Sequence, residues 1–209
     1  MNDCLTHILS VDDPDVITKA LTTLESDGLI VFPTDTLYGL SGRINEISIQ
    51  KIYRAKQRPE EKAIPVLIGQ LDHLDSIVKD IRPQVLTLMK NFWPGALTLI
   101  LPKRLDLPLS LSPYEGLAVR MPEHPFALKL LRQTGPLAVT SANISSYPNP
   151  ANIQDVYAQL KSEVSMFVDG GILPQSLAST IVNCLSEQPK LIRKGPVAFE
   201  DILKEWNLQ

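Results

Sequence analysis

The chain has 209 residues, 44% of them hydrophobic, and its 20 Lys+Arg against 23 Asp+Glu give a net charge of −3. That length holds one sizeable core, and the slightly acidic balance excludes a basic nucleic-acid coat. The longest strongly apolar stretch, residues 96–101, is too short to span a bilayer. Cys4 and Cys184 offer neither metal-ligand spacing nor a disulfide framework, and residues 1–4 are too polar for a secretory signal, so a reducing, cytoplasmic setting is expected.

Taken in order, residues 6–9 make a first strand. Val16, Ile17, Ala20, Leu21 and Leu24 recur at helical spacing, with Asp12 or Asp13 as N-cap, Pro14 in the first turn and Gly28 past the end. Residues 29–32 are a short, bulky run that reads as a strand buried on both faces. Pro33 lacks a ladder donor and closes it. Thr34, Asp35 and Thr36 then stand at a strand end, where open α/β sheets place ligands. The same three residues would also make a turn bonded to its own backbone.

Residues 47–55 form an amphipathic helix, 64–68 a strand interrupted by Pro65, and 81–92 a helix ended by Trp93-Pro94-Gly95. Residues 96–101 are a strand and 103–116, with Pro108 and Pro113, a loop. A short strand at 117–120 precedes a helix bearing Phe126, Ala127, Leu130 and Leu131, stopped by Gly135-Pro136. A strand at 137–140 runs into Ser141-Ala142-Asn143. After the turn-rich 145–152 come a helix at 153–160 capped by Asn152, short strands around Phe167, Ile181 and Ile192, and a helix at 199–206. With no repeat or linker in sight, the pattern predicts a single α/β domain, residues 1–209, on a twisted mixed parallel and antiparallel sheet flanked by helices.

Several polar groupings fall at element ends. Lys51, Arg54, Lys56, Arg58 and Lys62 put five cations within twelve residues. Cations near a helix C-terminus are stabilised by its dipole, but so dense a group suits an anion such as phosphate. Pro59 forces Arg58 out of the helical region. The strand at 137–140 ends in Thr140, Ser141 and Asn143, repeating the logic of Thr34 to Thr36. Arg120, Ser179-Thr180 and Arg193-Lys194-Gly195 complete the set, and each alone is an ordinary solvated strand end. No Walker loop or dinucleotide fingerprint is present. His7, His73 and His124 are scattered, His124 reading as a solvated loop residue. With no covalent nucleophile visible, any catalysis would rest on positioning and electrostatics.

Six ordered motifs carry a resemblance: residues 33–40 (PTDTLYGL), 56–59 (KQRP), 92–95 (FWPG) with Leu97-Thr98-Leu99, 119–122 (VRMP), 140–143 (TSAN) and 179–182 (STIV). Together, from about Ile8 to Arg193, they resemble the YrdC-like family in its short, single-domain form. The resemblance implies the YrdC-like fold and synthesis of threonylcarbamoyl-adenylate and pyrophosphate from L-threonine, bicarbonate and ATP, for the modification of adenosine 37 in tRNA. It implies Mg2+ entering with ATP, held by the nucleotide or by protein groups. It assigns phosphates to Lys56, Arg58, Lys62 and Arg193, and the nucleotide to Ser141 and Asn143, with Lys56 and Arg58 as the catalytic pair. Thr36, Arg120, Thr140 and Ser179 would form the threonine site, Arg120 facing the carboxylate. Further candidate partners are tRNA and the downstream threonylcarbamoyl-transfer proteins; a membrane is not one.

The chain departs from the family pattern in four places. Ala63 stands where a proline is usual, Leu40-Ser41-Gly42 replaces leucine-glycine, Ser146 stands where a glycine is usual, and Gly116 where a threonine often contacts the nucleotide. Two rivals are weighed. A sister branch of the fold typically degrades the Lys56/Arg58 and Ser141/Asn143 pairs, which are intact here. A double-stranded RNA or tRNA module would need a basic stripe or stacking aromatics, against the acidic balance.

Overall fold

The computed structural model describes residues 8–173 and 177–207; Cys4, Thr6 and His7 lie outside them. Ten strands run through the described residues: β1 (Ile8–Ser10), β2 (Ile30–Pro33), β3 (Tyr38–Gly42), β4 (Val66–Leu67), β5 (Leu97–Pro102), β6 (Gly116–Arg120), β7 (Leu137–Ser141), β8 (Met166–Asp169), β9 (Thr180–Asn183) and β10 (Lys190–Arg193). They join in one mixed sheet of order β1-β8-β2-β3-β7-β4-β6-β5-β9-β10. Six α-helices flank it: α1 (Val16–Glu25), α2 (Glu46–Lys56), α3 (Pro83–Phe92), α4 (Pro125–Thr134), α5 (Ile153–Leu160) and α6 (Phe199–Trp206).

Period-two alternation divides the core between the two faces of the sheet. In β2, Leu29 and Val31 join a core with Ile49 and Ile52 of α2, Leu88 of α3, Val156 of α5 and Ile202 of α6. Ile30 and Phe32 point the other way, toward Val16 and Ala20 of α1 and Phe126 and Leu130 of α4. β2 is thus buried on both faces and stops at Pro33, as expected. α1 and α4 cover part of that face, α4 reaching across to Leu67 of β4 and to Leu137 and Val139 of β7. The site opens on the rest of the face, with no residue of α1 or α4 among the described residues of its wall.

Some local expectations are corrected. Asp15, not Asp12 or Asp13, occupies the N-cap of α1, and Asp13 instead accepts the Asp15 amide at 2.8 Å. The left-handed residue after α1 is Asp27 (φ 56°). Gly28 serves close approach, since a Cβ there would lie 2.7 Å from Thr23 Cγ2. Asn152 does cap α5, accepting the Asp155 amide at 2.9 Å. The strand β3 was not foreseen, because two glycines and a serine in five residues weaken its pattern. It pairs antiparallel with both β2 and β7. His124 is no solvated residue: it holds the N-cap position of α4, half-buried, with a buried Nδ1 lacking a hydrogen-bond partner. Burial pushes its pKa down, with the Asp35 charge opposing.

Candidate functional site

A cavity of about 320 Å³ opens on the sheet, with no residue of α1 or α4 among the described residues of its wall. The alternation of β5 and β6 builds its floor. Leu97, Leu99, Leu117 and Val119 face the core, while Thr98, Ile100, Ala118 and Arg120 face the cavity. The structure brings Thr36, Arg58, Arg120, Thr140, Ser141, Ser179 and Arg193 together on its wall, from segments scattered along the chain. Among the described residues lining it there is no Cys, His, Lys, Asp or Glu.

The β2–β3 turn satisfies both readings of its sequence, divided by residue. Thr34 makes the backbone-bonded turn, its Oγ1 accepting the Leu37 amide at 3.1 Å and donating to the Leu37 carbonyl at 2.6 Å. Asp35 and Thr36 are left to meet Arg120, whose Nη2 lies 2.5 Å from Asp35 Oδ1 and whose Nη1 donates to Thr36 Oγ1 at 2.7 Å. Nε donates to the Gly95 carbonyl at 2.8 Å. Three of the five guanidinium donors are thereby used on protein, and the head is locked at the cavity wall. Burial pulls the Arg120 pKa down and the Asp35 carboxylate opposes that.

Arg193, at the end of β10, grips the β9 entrance: Nε and Nη2 donate to the Ser179 carbonyl at 3.0 and 2.9 Å, and Nη2 to Ser179 Oγ at 3.1 Å. Gly195 lets the chain pass beneath, since a Cβ there would lie 2.3 Å from the Thr180 nitrogen. The Arg193 pKa is pushed down first by burial and then by the charge of Arg120. Arg58 donates to the Lys62 and Ala63 carbonyls at 3.1 and 2.9 Å and is likewise depressed by burial. Among the described residues neither Arg58 nor Arg193 has a carboxylate partner. Cations desolvated and set against each other in this way favour an anionic guest.

The cationic run along α2 does not form one patch. Lys51 donates to the Asp27 carbonyl at 2.7 Å, Arg54 pairs with Glu163 at 3.5 Å, and Lys62 is exposed, off the cavity wall. Lys56 ends α2 at 1% exposure, and Gln57 (φ 48°) caps the helix after it. The Lys56 Nζ reaches the carbonyls of Ser141 and Asn143 at 2.5 Å each and Asn143 Oδ1 at 3.0 Å. An ammonium has three donors, and all three are engaged. Burial, then the charge of Arg58, push Lys56 down to about 7, against an oxygen cage that favours its charged form. Asn143 lies behind the wall with Lys56, its Oδ1 accepting Ser141 Oγ at 2.6 Å.

Three polar residues of the wall escaped the sequence analysis. Tyr38 sits on β3, its hydroxyl donating to the Gly171 carbonyl at 2.7 Å, and burial raises its pKa to about 12. Asn149 stands on the turn-rich loop, and Thr98 lies inside what reads as a plain apolar strand. Tyr38 and Thr98 fall within the six motifs without being singled out there, and Thr98 is the one polar residue within Leu97–Pro102.

The Sua5/YciO/YrdC family model, described as "Telomere recombination", matches residues 22–195. The chain belongs to the Sua5/YciO/YrdC family. It is 39% identical over 205 residues to the threonylcarbamoyl-AMP synthase of Bacillus subtilis, covering 95% of this chain but 58% of that protein. It is 30% identical to the human protein of that name, covering 81% of this chain and 63% of the human one. Among solved structures, Pyrococcus abyssi Sua5 complexed with L-threonine superposes with a TM-score of 0.91 at 33% identity, covering 96% of this chain and 61% of that one. Escherichia coli YciO superposes with a TM-score of 0.84 at 25% identity, covering 94% and 98%. The chain thus spans less than two thirds of the Bacillus and Pyrococcus family members.

Proposed function

We propose that this family member is a threonylcarbamoyl-AMP synthase, joining L-threonine, bicarbonate-derived CO2 and ATP to give threonylcarbamoyl-adenylate and pyrophosphate. The observation that carries it is the cavity wall: three arginines and a set of hydroxyls, with no nucleophile and no acid–base pair. Such a wall suits a reaction in which substrates supply both nucleophile and leaving group. The threonine amine takes up CO2 as a carbamate. A carbamate oxygen then bonds to the α-phosphorus as the bond to the β-phosphate oxygen breaks, and pyrophosphate leaves.

The residues divide by position. Arg120, Thr36, Thr140 and Ser179 receive the amino acid, with Arg120 turning its remaining donors to the carboxylate. Arg58, Arg193, Ser141 and the exposed Lys62 receive the nucleotide and its phosphates. Lys56 and Asn143 hold the 141–143 backbone and so position Ser141. Mg2+ enters with ATP and neutralises phosphate charge; among the described residues no cluster of three ligating side chains competes for it. The product would go on to tRNA modification through downstream transfer proteins. A net charge of −3 counts against an RNA-binding module.

Arg58 tests the proposal, because its contacts are only two carbonyls of a nearby loop. Arg58→Ala lowers turnover about a hundredfold or more with little change in melting temperature. Arg58→Lys does not restore it fully, lacking the planar fork. Normal turnover in Arg58→Ala would remove the phosphate assignment.

A further inference from the structure

We infer that Thr98 is a positioning residue that fixes the direction of the Ser179 hydroxyl, turning its proton toward an anionic oxygen of the amino-acid substrate. The inference rests on Ser179 belonging to the amino-acid end of the cavity, as proposed above. Leu97, Leu99 and Leu101 put one face of β5 into the core at 0% exposure. Thr98 faces the cavity at 3% exposure, between Leu97 and Leu99. A methyl group would fill that place, whereas a buried hydroxyl is costly unless paired.

Thr98 Oγ1 lies 2.7 Å from Ser179 Oγ, its hydrogen-bond partner among the described residues. Ser179 Oγ also faces Arg193 Nη2 at 3.1 Å. A guanidinium only donates, so that bond has one direction. A hydroxyl has one proton and two lone pairs, which leaves two arrangements. If Ser179 donates to Thr98, the Thr98 proton has no acceptor among the described protein groups. If Thr98 donates, both lone pairs of Ser179 are taken, by Arg193 and Thr98. The Ser179 proton then stays available at the cavity wall. Arg120 and Arg193 make that region favourable for anionic oxygen, so a carboxylate or carbamate oxygen is the acceptor class and an ammonium is not. A bound oxygen of that kind, accepting from Ser179, satisfies every donor of the second arrangement at once.

The test is a double-mutant cycle read through threonine-dependent pyrophosphate release, with ATP and bicarbonate saturating. Thr98→Val raises the threonine KM about fivefold to tenfold and leaves the ATP KM within about twofold of wild type. Thr98→Ser, which keeps the donor, restores the threonine KM. Thr98→Val combined with Ser179→Ala is no worse than Ser179→Ala alone, because Thr98 acts through Ser179. Should the Val variant fail to fold, Thr98→Ala takes its place in the cycle. An unchanged threonine KM in the Thr98 variant, or effects that add independently, overturns the inference while leaving Ser179 in its assigned place. An unchanged threonine KM in Ser179→Ala overturns the inference together with that assignment.

Discussion

At the scale of single residues, the two polar signatures prove to be one interlocked unit. Lys56 and Ser141/Asn143 stand apart in sequence, the first read as a phosphate ligand and the second as a nucleotide contact. The structure bonds them directly, through backbone carbonyls that no side-chain pattern reveals. Removing Lys56 therefore affects stability, unlike removal of an exposed cation at a helix end, worth about 0.3–1 kcal/mol. Lys56→Met leaves buried oxygens without donors and costs roughly 2–4 kcal/mol. The pH dependence has a definite sign. The folded pKa of about 7 lies below the ordinary 10.5, so between these values the unfolded chain binds the proton and the folded chain does not. The penalty of burying the cation is full below about 7 and fades as pH rises to 10.5. Denaturant titrations should show the wild type's advantage over Lys56→Met widening across that window; a narrowing would mean that the oxygen cage outweighs burial and keeps the lysine charged.

At the scale of elements, helices and buried strands were legible because apolar spacing dictates them, and β3 was not because packing against β2 and β7 overrides its weak pattern. The departures from the family pattern have local physical explanations. Ser146 holds a left-handed conformation (φ 70°) that glycine adopts without strain. Gly116 opposes Pro102 across β5 and β6, where a Cβ would lie 2.5 Å from Ile100 Cγ2 and 3.0 Å from Leu185 Cδ1. A side chain there is excluded by neighbours that have filled its space. Gly116→Thr should consequently lower stability by about 1–3 kcal/mol through overpacking, measured by thermal or urea unfolding. Unchanged stability would mean that Ile100 and Leu185 yield freely.

At the scale of the whole molecule, the sequence predicted a mixed sheet but not its order. β2 pairs with β8, placing Val31 beside Phe167, and β5 pairs with β9, placing Thr98 beside Ile181. Such long-range partners leave no local signal. Their consequence is the site itself. Helices α1 and α4 cover part of a sheet face, and the strand ends beyond them carry Arg120, Ser141 and Arg193 to one cavity. The central claim is that this cavity catalyses a three-substrate condensation. Pyrophosphate release from ATP, measured with threonine or bicarbonate omitted in turn, tests it most directly. Release should require both, and omission of either should reduce it to background. Equal release without threonine would contradict the account.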